Sequence, residues 1–123
     1  MITAFALSIP ARAYAKCDAD DKLCIMAEIK KTADEIDDTS WRDKALRELA
    51  KSYTHEGHED KAVALISQIE KPDTKAMTIR GIGMAAADNN WKDKKRYDEL
   101  FKKLAEEAEK IEIQRLLDAS DGN

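Results

Sequence analysis

Apolar residues recur along most of this chain at spacings of three and four, the period of one face of an α-helix. Ile25, Ile29, Ala33 and Ile36 mark a first helix from about residue 20 to 36. Asp37-Asp38-Thr39-Ser40 interrupts it. Ser40, with Asp43 three positions on, reads as an acidic form of the capping box that opens a second helix over 41–55. Leu46, Leu49, Ala50 and Tyr53 form the stripe of that helix, and Gly57 supplies the left-handed residue that ends it. A third helix, 59–70, carries Ala62, Leu65, Ile66 and Ile69, and Pro72 stops it. Asp73 then stands where a cap would open a fourth helix, 74–87, with Met77, Ile79, Ile82, Ala85 and Ala86. Asn89-Asn90 forms a turn, and a long fifth helix over 91–119 is expected to bury Tyr97, Phe101, Leu104, Ala108 and Ile111.

The pattern also repeats. Residues 36–50 align without a gap on 69–83, so that Leu46 matches Ile79, Leu49 matches Ile82, Ala50 matches Gly83 and Arg47 matches Arg80. A period of about 33 residues built from paired helices is the signature of stacked helical repeats. The string Leu46-x-x-Leu49-Ala50-x-x-Tyr53, then Gly57, then Ala62-x-x-x-Ile66, then Pro72 resembles the tetratricopeptide repeat. It departs at Leu46, where that family usually has Trp, and at Pro72, which arrives about two residues early. The second unit is weaker: Lys95 falls where a small residue is expected, and a two-residue insertion in the Asn89 to Asp93 turn restores the stripe as Tyr97, Leu100, Phe101 and Leu104. The resemblance implies an all-α fold, a short right-handed solenoid of antiparallel helix hairpins with about five helices. It also implies a protein-interaction role.

Composition agrees with helices and bounds the partners. Two prolines and four glycines in 123 residues are too few for the turns of a β-sandwich or barrel. The net charge is −4 with the charges interspersed, so no basic tract points to nucleic acid. No apolar run reaches the length of a membrane span. Residues 1–15 differ from the rest: they are apolar, carry one charge at Arg12, and end Ala13-Tyr14-Ala15, a pattern a signal peptidase accepts. They read as the remnant of an export signal or, failing that, as an apolar strap on the first hairpin. Residues 16–119 read as one helical-repeat domain and 120–123 as a frayed tail. Export would place the protein in the periplasm or outside the cell, a strap in the cytoplasm. Cys17 and Cys24 are the only cysteines, and both follow the cleavage point. On one continuous helix their Cα atoms would stand about 10.5 Å apart, too far to bridge. A disulfide therefore requires Cys17 to precede the helix and fold back; otherwise both are free thiols.

Little of the sequence points to catalysis. Gly81-Ile-Gly83 lies inside a helical stripe with no preceding strand, which excludes a dinucleotide fingerprint. His55-Glu56-Gly57-His58 could contribute metal ligands, but Gly57 breaks the helix between the imidazoles, so a polar turn is the plainer reading. Glu106, Glu107 and Glu109 read as a solvated face, with Lys103 and Glu107 a turn apart. The expectation is thus a non-catalytic module without metal or cofactor. The alternative is a small exported metal-handling or redox protein using His55, His58 and the cysteines. In the resembled family the first helix of each hairpin lines a concave face. Off the packing stripe, the second helix offers Lys44, Arg47, Lys51 and Thr54, and the fourth offers Met77, Arg80, Met84 and Ala87. A groove between them would set cations beside flexible thioethers. It would suit a protein or peptide with an acidic group, such as the carboxylate that ends a polypeptide. Ile113, Leu116 and Leu117 extend the last helix with apolar residues and suggest either a fold-back or a homodimer through that helix.

Overall fold

The computed structural model describes residues 17–121, so the reading of residues 1–15 and the last two residues of the tail lie outside the described residues. Five helices and no strand are present among the described residues: α1 Lys22–Asp34, α2 Thr39–His55, α3 Glu59–Ile66, α4 Pro72–Asn89 and α5 Lys94–Asp121. Helix α2 packs on α1, α3 and α4; α4 also meets α3 and α5; α3 also meets α5. Among the described helices α1 touches α2 alone.

The core is built from the stripes the spacing predicts for the middle helices, except that Met77, expected in the stripe of α4, is exposed and leaves Ile82, Ala85 and Ala86 as its buried part. Leu46, Leu49, Ala50 and Tyr53 of α2, Ala62, Leu65 and Ile66 of α3, Ile82 and Ala86 of α4, and Leu100 and Leu104 of α5 belong to one buried cluster, which α5 joins through α3 and α4. Ala50, Ala62 and Ala86 are fully buried, and their lack of bulk lets neighbouring backbones approach. Each fully buried Leu or Ile here contributes roughly 1.5–3 kcal/mol of transfer free energy.

The outer helices are rotated from expectation. In α1 the buried residues are Met26 and Ala33, while Ile29 is exposed. A helix with one neighbour needs only a narrow face, and two residues seven apart supply it. In α5 the buried residues are Leu100, Leu104 and Ile111; Phe101 and Ala108 are exposed. Because α5 lies against both α3 and α4, it presents the face centred one position before Phe101.

The connections also differ from local expectation. Asp38, not Ser40, caps α2, accepting from Trp41 N at 3.0 Å. Asp43 is no capping-box partner. It is fully buried and accepts from the backbone N–H of Glu70 (3.0 Å) and Lys71 (2.9 Å). Those two amides are thereby withdrawn from helical bonding, and α3 ends at Ile66 rather than at residue 70. Pro72 occupies the first position of α4, where its missing N–H costs nothing; Asp73 lies in the first turn and is not the cap. The α2–α3 turn is a Schellman closure. Gly57 sits at φ +81°, with its N–H donating to Thr54 O and that of His58 to Tyr53 O.

Candidate functional site

Helices α2 and α4 lie side by side and leave an open groove of about 340 Å³ between them. Arg47, Lys51 and His55 line one wall at successive spacings of four. Met77, Arg80, Met84 and Asp88 line the other, with Gly81 and Ala85 below. The floor is tight at one point: a Cβ on Gly81 would stand 3.0 Å from Lys51 Cγ. The Lys51 stem therefore lies across Gly81, and a side chain at that position would push the stem aside by a few tenths of an ångström.

The charges in the groove are unequally engaged. Glu48 holds two of the cations, with Lys51 Nζ at 3.1 Å and Arg47 Nε at 3.7 Å. Arg47 Nη1 also points at Met77 Sδ, 3.9 Å away. Arg80 is exposed and makes no ion pair or hydrogen bond among the described residues, and neither does Asp88. Met77 and Met84 expose more than half of their surface, 55% and 59%. A methionine on a solvated helix face adds nothing to the core, so the pair constitutes accessible apolar surface flanking an uncommitted guanidinium.

Of the residues marked in the sequence, Arg47, Lys51, Met77, Arg80 and Met84 come together in this groove. Lys44 does not line it; its ammonium sits 4.7 Å over the Trp41 ring, one turn away. Thr54, expected on the groove, is turned into the core instead. It is fully buried, and its hydroxyl donates to Ala50 O at 3.0 Å. His55, one position on, takes the place assigned to it. Ala87 is likewise absent from the lining, and Asp88 stands there. The signal for His55 was present in the spacing of four from Arg47 through Lys51.

The remaining candidates are dispersed. Cys17 and Cys24 are joined as a disulfide, with Cα atoms 5.7 Å apart and Cys17 ahead of α1. His58 lines a separate depression with Glu59 and Arg96, on the far side of the Gly57 turn from the groove that His55 lines. Glu59 is committed to Arg96, whose Nη2 lies 2.8 Å from Glu59 Oε1 and whose guanidinium carbon sits 3.8 Å from the Trp91 ring centroid. The hydrogen bond from Arg96 holds the Glu59 carboxyl below the usual glutamate range, against the opposing effect of burial. Asp60 is bound by Lys103 at 2.7 Å, and Glu107, which is half-buried, pairs with Lys110 rather than with Lys103. Among the described residues no three His, Cys, Asp or Glu side chains gather into a cluster able to hold a metal ion. No protein-family model, curated protein or solved structure matches this sequence.

Proposed function

We propose that this chain is a non-catalytic interaction module. In this reading α2–α5 stack as two antiparallel hairpins of a short tetratricopeptide-like solenoid, and the α2/α4 groove takes an acidic peptide segment of a partner protein. The stacking is supported by the neighbour scheme, in which α2 lies beside α4 and α3 beside both α4 and α5. It is supported as well by the opposed run of α4 and α5, since Tyr97 meets Ala86 and Arg115 meets Asp73. The observation that carries the binding role is Arg80, an unpaired guanidinium between two exposed methionines. Guanidinium grips a carboxylate through two parallel hydrogen bonds, and thioethers adapt to varied apolar side chains. A groove this open gives modest affinity, and its electrostatic part weakens with salt. The Cys17–Cys24 disulfide supports an exported protein, because such bridges persist in oxidising compartments.

The test is chemical-shift mapping with a pool of short acidic peptides and a neutral pool of matched length. The acidic pool should perturb the methyl signals of Met77 and Met84 and the amides around Arg80, and the Arg47→Glu/Arg80→Glu protein, still helical by circular dichroism, should lose the response. Equal responses to both pools, or shifts that map away from α2 and α4, would overturn the assignment.

A further inference from the structure

Helix α5 outruns the helix beside it. Its 28 residues span about 42 Å, against about 27 Å for the 18 of α4. Arg115 already meets Asp73 in the first turn of α4, so the residues from Leu116 onward extend past the start of that helix. Ile113, Leu116 and Leu117 are 49%, 63% and 55% exposed there, and Phe101, three to four turns earlier, is 45% exposed. At 100° per residue, Phe101, Ala105, Glu112 and Leu116 share one face that lies about 110° round the helix from the buried Leu100, Leu104 and Ile111, with Phe101 at its inner edge stacked on Tyr97 at 5.9 Å. Ala105, one turn after Phe101 on that face, is small enough for another helix to approach closely there.

The charge along α5 says what that helix should be. Residues 94–104 carry five cations and two acids, whereas 105–121 carry six acids and two cations. Most of these charges are satisfied within the molecule. Lys103 binds Asp60, Lys110 binds Glu107, and Arg115 binds Asp73. Lys102, Glu109 and Glu112 have no ion-pair partner among the described residues. A helix whose first half is positive and second half negative is complementary to a copy of itself running the opposite way. A two-fold axis across α5 creates that arrangement from identical chains.

We propose that the free face of α5 pairs antiparallel with α5 of a second copy of this chain. The surface is separate from the α2/α4 groove, and the proposal does not depend on what that groove binds. In the pairing, Leu116 lies against Phe101 of the other copy, and Lys102 comes within reach of Glu112 of that copy, twice by symmetry.

The experiment is sedimentation equilibrium of the full-length protein from micromolar to near-millimolar concentration, at low and high salt. The wild type should associate to a dimer, more tightly at low salt. Leu116→Glu/Leu117→Glu protein should stay monomeric. Lys102→Glu and Glu112→Lys proteins should each dimerise about tenfold or more weakly, because each reverses two symmetry-related charge pairs. An equimolar mixture of those two should recover association, since every 102–112 contact then joins opposite charges. These positions are exposed, so the charge variants keep the test decisive even if the double leucine variant fails to fold. A wild type that remains monomeric throughout, or a mixture no tighter than its components, would overturn the proposal.

Discussion

Asp43→Ala removes the carboxylate that fastens the α3–α4 connection to α2, and the structure gives the cost. Asp43 is fully buried and accepts two backbone N–H bonds, at 3.0 and 2.9 Å, from Glu70 and Lys71. Hydrogen bonds to a charged acceptor contribute about 1.5–3 kcal/mol each, and both donors would be orphaned together. The two amides are only partly buried, so water recovers some of this, and a loss of about 3 kcal/mol is expected. That is a large share of the roughly 5–15 kcal/mol that holds a domain together, and it lowers the melting temperature on the order of 15 °C. The control is Asp38→Ala, which removes one exposed capping bond to Trp41 N and should cost about 1 kcal/mol. Urea unfolding followed by circular dichroism measures both. If Asp43→Ala costs no more than Asp38→Ala, the two bonds do not hold the connection in place and the account of why α3 stops at Ile66 fails.

Three further outcomes follow from the turns and ion pairs. Gly57→Ala should destabilise by about 1–2 kcal/mol in the same assay, because φ is +81° and the new Cβ would also stand 3.3 Å from Arg96 Nη2; an unchanged midpoint would refute it. The Glu59–Arg96 pair lowers the folded carboxyl pKa, so its contribution is complete above the ordinary glutamate value of about 4.3 and is lost as pH falls through the lower folded value. Urea midpoints taken from neutral to acid pH should therefore fall more steeply for wild type than for Glu59→Gln protein, and parallel curves would exclude the pair as the source. Reducing the Cys17–Cys24 bridge should cost at most about 2.5 kcal/mol, since the closed loop is short, and the loss should show as faster amide exchange in α1, which rests on α2 alone. Uniformly faster exchange across α2–α5 would contradict that.

What could be read in advance divides by the range of the interaction. Existence and order of the helices follow from periodicity, and the stripes of α2 and α3 point inward together with Ile82, Ala85 and Ala86 of α4, whereas Met77 of the same predicted stripe lies exposed. Local motifs were legible where both partners lie within a turn of each other, as at Gly57. They misled where the partner is remote. Asp43 stands three residues after Ser40, as a capping box requires, yet its partners are 27 and 28 residues away. Lys103 and Glu107 are a turn apart, but each finds a different partner, because Asp60 of α3 lies opposite Lys103. Only packing decides between a local and a remote carboxylate at equal reach.

The groove shows the same limit at the scale of single residues. A repeat offset brings α2 and α4 into register, and five of the eight residues expected there, Arg47, Lys51, Met77, Arg80 and Met84, line the groove. Its ends were misplaced because a helix-wheel position is fixed only to about 100° by sequence spacing. Thr54 and His55 both continue the series from Lys51, at spacings of three and four. Thr54 carries a hydroxyl that can bond back to Ala50 O and so can be buried without an unmet donor. The imidazole of His55 is larger and keeps to the exposed side, where it lines the groove. The Lys44 end follows a different cause, since the neighbouring Trp41 ring draws the ammonium over its face and away from α4. Arg80 has no such competitor. It is therefore the cation of this surface most open to a new partner, whereas a ligand reaching Arg47 or Lys51 must displace Glu48 first.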